Sequence, residues 1–182
     1  AGSRDILPAG DIVRNRLEPK RPQAGIISEL IKLKLAQHVM ARILIDLPER
    51  FIFSTEIPIY ISHINYGHHL DNAALVGLVS EARVRFLNSL GYTELNVEGV
   101  GIVVADAGLQ YKSEAFHGET LVFAMAPADF NKYGCDLVWQ ATEKTSGREV
   151  ARGKTGIIFF DYQTKRPVGV PAGFKARTAG SP

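Results

Sequence analysis

One long amphipathic segment and the strand-like runs around it constrain the fold more than any other feature of the sequence. Apolar residues recur at helical spacing over residues 70–90, and Gly91 follows as the kind of residue that ends a helix. Before this segment, residues 51–62 form one strand-like run, in which Pro58 indicates an edge strand or a bulge. After it come four more runs, at residues 101–112, 120–126, 136–142 and 149–162.

The order of these elements predicts an α+β fold. The short connections at residues 114–119 and 144–148 carry Gly118 and Gly147, which suits antiparallel hairpins. An antiparallel sheet has to bury one of its faces, and residues 70–90 form the long apolar helix that can cover it. We therefore predict a five-stranded antiparallel sheet wrapped around that central helix.

Composition narrows the class of protein. The chain has 182 residues, of which 46% are hydrophobic, and a net charge of +2, so we expect one domain with a full core. Its basic residues are scattered, which argues against a nucleic-acid partner. Charged residues interrupt the apolar stretch at 26–47, so no membrane partner is expected. The single Cys135 excludes an internal disulfide and fits a reducing compartment. We expect a cytoplasmic protein.

The chain divides into three parts by composition. Residues 1–40 are interpreted as a leader, which is rich in proline and glycine up to residue 25 and has helical spacing from residue 26 to residue 41. The folded domain is predicted at residues 41–174. The last part, residues 175–182, is predicted to be a flexible tail, and the chain from residue 165 onward is expected to run over the surface.

The loop before the helix carries the most informative motif. It reads Asn65-Tyr66-Gly67-His68-His69-Leu70-Asp71-Asn72, and Glu81-Ala82-Arg83 follows along the helix. This stretch resembles the hot-dog-fold acyl-CoA thioesterases of the 4-hydroxybenzoyl-CoA-thioesterase-like family, in which Asp-x-x-Gly-His-Val-Asn-Asn precedes a helical Glu-Ala-Arg. With His69 on the family histidine, Asn72 falls on the second asparagine without a gap. Residues 111–119 and 160–171 are also similar to family segments, so the resemblance covers about residues 51–174.

The resemblance implies the fold, the activity and the assembly. It implies a hot-dog fold, an enzyme that hydrolyses acyl-CoA thioesters without a metal or redox cofactor, and CoA as part of the substrate. It also implies a homodimer or homotetramer with sites at the subunit interfaces. The sequence departs from the family at one important place, because the usual Asp-x-Asp pair falls on His63 and Asn65. The position that commonly supplies a catalytic carboxylate is therefore an amide.

The loop and the helix start supply candidate catalytic groups. Unpaired N–H groups at the start of a helix can stabilise the oxyanion of a thioester intermediate. Asp71 is the first choice for the base that activates water, with His69 or His63 as alternatives, and Asn65 can orient the water. The predicted catalytic set is thus Asn65, His69 and Asp71. The predicted substrate-binding set is Tyr66, Gly67, His68 and Asn72, of which Gly67 gives the backbone close access to a ligand.

Several of these residues also have structural interpretations. Asp71 suits a helix N-cap, and Asn65 suits a turn held through its own backbone. His68 and Asn72 are more typical of residues that tie a loop to a helix. The spacing of the histidines matches no recognised metal-ligand set, so no metal site is predicted.

Residues outside the loop are weaker candidates. Glu81 lies roughly 15 Å along the helix and suits an ion pair with Arg83 or Arg85 of a neighbouring subunit. Asp106 can reach a site across a dimer interface, although a solvated strand residue is the simpler interpretation. The cations available for the phosphates of CoA are Lys112, Lys132, Arg152 and Lys154.

Two other functions compete with hydrolysis. A non-catalytic module that binds acyl-CoA or an acyl carrier protein is favoured by the amide at Asn65. A hot-dog hydratase or dehydratase ranks lower, because the chain lacks the histidine loop and the Gly-Pro-rich segment of those enzymes.

Overall fold

A computed structural model of the protein describes residues 43–179. The leader and the helical spacing predicted within residues 1–41 lie outside the described residues. The strands and helices of the described part are β1 (Phe53–Pro58), α1 (Asn72–Ser89), β2 (Gly101–Tyr111), β3 (Thr120–Ala128), β4 (Gly134–Glu143), β5 (Glu149–Asp161), β6 (Arg166–Pro167) and α2 (Ala172–Thr178). A short 3₁₀ turn at Ile61–His63 follows β1.

The strands form one antiparallel sheet, as the sequence predicts. The structure gives their order as β1-β3-β4-β5-β2, with the two-residue β6 added at the end of β5. β1 is an edge strand, which confirms the interpretation of Pro58. Its pairing with β3 ends at this proline, opposite Thr120, so β1 is shorter than the predicted run at residues 51–62. The other edge is β2, whose pairing with β5 shifts register between Val104 and Asp106.

Helix α1 lies against one face of this sheet and forms the centre of the core. Its buried stripe packs in one hydrophobic cluster with the inner face of the sheet, including Trp139 and Phe123. Asp71 caps the helix, so α1 begins two residues later than predicted, and Gly91 follows it with a φ of +79°. The predicted sheet wrapped around a central helix is therefore confirmed. Neither helix in the described part of the chain is long and apolar enough to cross a membrane.

The C-terminal segment differs from the prediction. Residues from 165 onward were expected to run over the surface, but α2 extends from Ala172 to Thr178 and buries Phe174 completely. The Phe174 ring lies 5.1 Å from that of Phe159 and 6.2 Å from that of Tyr92, measured between centroids. Pro171 is the N-cap of this helix, with φ −58° and ψ 137°. Phe174 thus anchors in the core a segment whose composition is typical of a loop, and hydrogen bonds from Gly173 to Glu98 and from Arg177 to the Leu90 carbonyl also hold it.

We expect Phe174→Ala to destabilise the protein by about 3–5 kcal/mol, because a fully buried aromatic side chain is lost and a cavity remains. Chemical denaturation with urea measures this change. Phe116→Ala is the matched control, since the Phe116 ring is 45% exposed and its removal should cost less than about 1 kcal/mol. Equal stabilities of the two variants would contradict the role of Phe174 in the core.

Candidate active site

The loop before α1 is closed by a tight turn between Asn65 and His69. The Asn65 N–H donates to the His69 carbonyl over 3.0 Å, and the His68 N–H donates to the Asn65 carbonyl over 3.0 Å. The Oδ1 atom of Asn65 accepts a hydrogen bond of 2.8 Å from the Gly67 N–H. These bonds bring the Asn65 and His69 side chains to the same side of the loop. The turn role that the sequence offered for Asn65 is confirmed.

Gly67 makes room for the His69 ring. A Cβ atom at this position would lie 2.8 Å from Nε2 of His69 and 3.2 Å from Oδ1 of Asn65, so any larger residue would displace one of these side chains. The neighbouring His68 is exposed and adopts a positive φ of 63°, which is unusual for a residue with a Cβ atom. The loop therefore bends sharply in order to place His69 over the glycine.

His69 can present either a donor or an acceptor to a ligand. Its Nδ1 lies 3.3 Å from the Leu70 carbonyl and 3.4 Å from the Nδ2 of Asn65. A proton on Nδ1 would be donated to the carbonyl and would leave Nε2 as an acceptor. The other tautomer would accept from the Asn65 amide at Nδ1 and would carry the proton on Nε2.

Asp71 is the N-cap of α1. Its Oδ1 atom accepts hydrogen bonds from the N–H groups of Ala73 and Ala74, at 2.8 and 3.0 Å. Its structural role is therefore confirmed, whereas its catalytic role stays a prediction. Both capping bonds use the same oxygen, so the cap leaves Oδ2 available for another partner.

Asn72 is the first residue of α1, and its main-chain N–H donates no hydrogen bond within the described residues. The cap of Asp71 occupies the next two N–H groups, so the first one is left at the positive end of the helix dipole. The Tyr111 hydroxyl donates to the Asn72 carbonyl over 3.1 Å and ties the end of β2 to the start of the helix.

These groups open into a pocket of about 350 Å³ between the start of α1 and the neighbouring ends of β2 and β5. Four predicted site residues line it: Asn65, His69, Asp71 and Asn72. The structure thus brings together the predicted catalytic set. Tyr66, Gly67 and His68 do not line the pocket, and the Tyr66 side chain is fully exposed.

Apart from Lys112, the residues of the opposite wall of the pocket were not predicted from the sequence as site residues. This wall comes from the segment that follows β2 and from the start of β5, and it consists of Tyr111, Lys112, Ser113, Glu114, Ala115 and Val150. The antiparallel register of β2 and β5 pairs Tyr111 with Ala151 and so places these two segments side by side. The sequence signals for this wall were the similarity of residues 111–119 to a family segment and the choice of Lys112 as a candidate cation.

Arg148 fixes the opposite wall in place. Its guanidinium donates to the Ser113 hydroxyl over 2.9 Å, to the Glu114 carbonyl, and to both carboxylate oxygens of Glu119 at 2.9 and 3.1 Å. The Leu70 N–H also donates to the Ala115 carbonyl over 2.7 Å. The segment after β2 is therefore attached both to the loop before α1 and to the start of β5.

The alternative base His63 and the ion-pair residue Glu81 lie outside this pocket. His63 lines a separate groove between β1 and α1, and its Nδ1 accepts from the Tyr60 N–H over 3.1 Å. Glu81 lines the same groove and forms an ion pair of 2.7 Å with Arg85 of its own chain. This ion pair forms within one chain and does not need the neighbouring subunit predicted from the sequence. Arg83 instead binds Glu94 over 2.6 Å.

Asp106 is exposed at the register shift of β2, with its carboxylate above Gly156. Buried Cys135 is not a nucleophile candidate, because burial, together with the nearby charge of Asp136, raises the pKa of its thiol to about 12. Within residues 43–179, no cluster of three or more His, Cys, Asp or Glu side chains is arranged to hold a metal ion.

Of the four candidate cations, Lys112 lines the pocket. Arg152 pairs with Glu149 over 2.5 Å, and this hydrogen-bonded pair raises the pKa of the guanidinium and lowers that of the carboxyl. Lys154 pairs with Asp136 over 2.5 Å, which raises the pKa of the lysine. Lys132 lies 4.9 Å from the centre of the Tyr133 ring. Lys112 is therefore the candidate cation at the mouth of this site.

Several solved structures share the fold. One is the 1,4-dihydroxy-2-naphthoyl-CoA thioesterase Slr0204 from Synechocystis, at 14% identity and a TM-score of 0.64 over 70% of this chain and 95% of that one. The putative thioesterase PA2801 from Pseudomonas aeruginosa has 19% identity and a TM-score of 0.64, over 70% of this chain and 98% of that one. The hypothetical protein SAV2348 from Staphylococcus aureus was solved in complex with CoA. It has 17% identity and a TM-score of 0.64, over 75% of this chain and 86% of that one.

These distant structures show the fold, whereas the family of the chain is shown by its sequence. No curated protein matches the chain. Residues 60–178, however, match the family model of the thioesterase-like superfamily. This match covers the loop, the central helix, both walls of the pocket and the C-terminal helix. The fold is the hot-dog fold implied by the sequence resemblance, and the chain belongs to the thioesterase-like superfamily.

Proposed function

We propose that the protein hydrolyses acyl-CoA thioesters to a free acid and CoA. The observation that carries this proposal is the pocket at the start of α1, which is lined by His69, Asp71 and Asn72, together with the Asn72 N–H, which donates no hydrogen bond within residues 43–179. This arrangement combines a donor for an oxyanion with a carboxylate and an imidazole. Membership of the thioesterase-like superfamily supports the reaction class.

The reaction begins with water beside Asp71. The Oδ2 atom of Asp71 takes a proton from this water as the water oxygen bonds to the thioester carbon. Asn65 and His69 orient the water and the thioester carbonyl. The carbonyl oxygen becomes an oxyanion that accepts a hydrogen bond from the Asn72 N–H in the field of the helix dipole. The carbon–sulfur bond then breaks, and the proton on Asp71 passes to the departing CoA thiolate.

The CoA portion extends outward across the mouth of the pocket. Lys112 is the cation on this path, and phosphate groups favour such a partner. The structure of SAV2348 was solved in complex with CoA, which supports a ligand of this type for the shared fold.

A second copy of the chain completes the assembly in this proposal. Within residues 43–179, β2 is an edge strand of 11 residues, and a strand edge of this length is a template for pairing with another chain. Val104 and Tyr111 on this strand are both exposed. Antiparallel pairing of two β2 strands joins the sheets edge to edge and places the partner next to the Tyr111 side of the pocket.

A non-catalytic acyl-CoA or acyl-carrier-protein binding module is the second candidate. It is favoured by one observation, because Asn65 occupies the position of the family carboxylate and its Oδ1 holds the turn. Such a module would bind thioesters without consuming them.

Release of free CoA from short, medium, long and aromatic acyl-CoAs distinguishes the two functions. We expect wild type to turn over at least one thioester, and we expect His69→Ala to lower that kcat by about tenfold or more because an orienting group is lost. The matched control is His117→Ala, which removes an exposed histidine that does not line the pocket. Tight binding of acyl-CoA without any release of CoA would favour the binding module.

A further inference from the structure

The pocket changes from apolar to polar between its floor and its rim. The floor consists of side chains that are at most 9% exposed: Leu70, Leu75, Ala115 and Val150. At the rim, Asn72, Lys112 and Glu114 are exposed. A ligand with one apolar end and one charged end therefore fits in one orientation, with its apolar end on the floor.

This orientation assigns the two halves of an acyl-CoA. The charged phosphates of CoA belong in water and near Lys112, so the acyl group is the part that reaches the floor. The reacting carbonyl then lies between floor and rim, where Asn65, His69 and Asp71 line the pocket.

The volume of the pocket limits the acyl group. A cavity of about 150 Å³ accommodates one benzene ring, which corresponds to roughly 25 Å³ for each heavy atom. At that density, the pocket of about 350 Å³ holds roughly 14 heavy atoms. These atoms include the thioester and the first atoms of the pantetheine arm, so about six to eight remain for the carbon chain or ring of the acyl group.

The floor also has little to offer a polar acyl group. All four floor side chains are hydrocarbon and offer no hydrogen bond, and two main-chain carbonyls beside them already accept hydrogen bonds. The Ala115 carbonyl accepts from Leu70, and the Val150 carbonyl accepts from the N–H groups of Lys112 and Ser113 at 2.8 and 3.2 Å. A hydroxyl or carboxylate at the far end of the acyl group would lose its water without gaining a partner from the four floor side chains or these two carbonyls, which is unfavourable.

We propose that the site selects compact, uncharged, apolar acyl groups of up to about eight carbons, and that Val150 and Leu75 set this limit. The selection rests on the proposed thioester hydrolysis and names the substrate class of that site. It excludes long fatty acyl groups by size, and ring-hydroxylated aromatic acyl groups by the polarity of the floor.

A thioester series tests the selection. We expect kcat/KM for hexanoyl-CoA and benzoyl-CoA to exceed that for hexadecanoyl-CoA and 4-hydroxybenzoyl-CoA by at least about tenfold, since burial of an unpartnered hydroxyl is costly. Equal or higher kcat/KM for hexadecanoyl-CoA would overturn the size limit. Equal or higher kcat/KM for 4-hydroxybenzoyl-CoA would overturn the exclusion of polar groups.

Substitutions in the floor show which residues limit the length of the acyl group. We expect Val150→Ala to raise the kcat/KM ratio of dodecanoyl-CoA to hexanoyl-CoA by at least about fivefold, because the floor becomes deeper. Leu75→Val serves the same purpose with a smaller change if Val150→Ala folds poorly. Val79→Ala is the matched control, since Val79 is buried on the same helix as Leu75 but does not line this pocket. An equal shift in Val79→Ala, or no shift in either floor variant, would overturn the assignment.

Binding of non-hydrolysable thioethers separates this inference from the proposed hydrolysis. We expect S-hexyl-CoA to bind at least about tenfold more tightly than S-hexadecyl-CoA and than CoA alone. If this order holds but no thioester is hydrolysed, the proposed hydrolysis fails and the size limit stands. If S-hexadecyl-CoA binds as tightly as S-hexyl-CoA, or neither binds better than CoA, the size limit is wrong even where thioesters are hydrolysed.

Discussion

Asp71→Asn is expected to lower kcat by about 10²–10⁴, the usual contribution of a general base, while leaving the fold intact. Asparagine caps helices about as well as aspartate, so the hydrogen bonds to Ala73 and Ala74 can be kept. What the variant loses is the basic Oδ2 atom. Steady-state CoA release measures the catalytic activity, and the midpoint of thermal unfolding measures the stability that the helix cap contributes.

Asp71→Ala is the control that removes both the proposed base and the helix cap. It should lose the same activity and also about 1 kcal/mol of stability, because the cap is gone. Asn65→Asp combined with Asp71→Asn tests the chemistry further. It returns a carboxylate to the family position, where its oxygen can still accept from the Gly67 N–H, so activity should recover in part. If Asp71→Asn kept wild-type kcat, Asp71 would be a cap alone and His69 would become the candidate base.

The sequence was sufficient for the framework of the site because local patterns determine it. The helical period and the strand runs predicted α1 and the antiparallel sheet, and the motif placed Asn65, His69 and Asp71 around the start of the helix. These residues lie within seven positions of one another, so the chain itself keeps them close. Their placement depended on the turn at Gly67 and on the helix cap, which are local features.

The sequence was insufficient where contacts are distant along the chain. Val150 reaches the pocket because β5 pairs with β2, and no local pattern reveals that register. His63 was grouped with the site by proximity in sequence, yet its side chain lines a different groove, between β1 and α1. Phe174 is a single aromatic residue among prolines and glycines, and only the packing of Phe159 and Tyr92 around it shows that α2 belongs to the core.

The main-chain N–H of Asn72 can be removed without changing the helix, which provides the sharpest test of the oxyanion. Proline is well tolerated at the first position of a helix, where it lacks only the N–H. The preceding residue has to be extended, and Asp71 already has φ −65° and ψ 138°. Asn72→Pro should therefore fold normally and lower kcat by about 10²–10³, the usual loss for one oxyanion donor.

Asn72→Ala is the matched control for this test, since it removes the exposed side chain and keeps the N–H. We expect its kcat to stay within about threefold of wild type, because the oxyanion donor is a main-chain group. Binding of S-hexyl-CoA to both variants shows whether the pocket itself is preserved. A normal kcat in Asn72→Pro would place the oxyanion elsewhere. An equal loss in both variants would assign the effect to the Asn72 side chain, and the helix start would then contribute position rather than charge stabilisation.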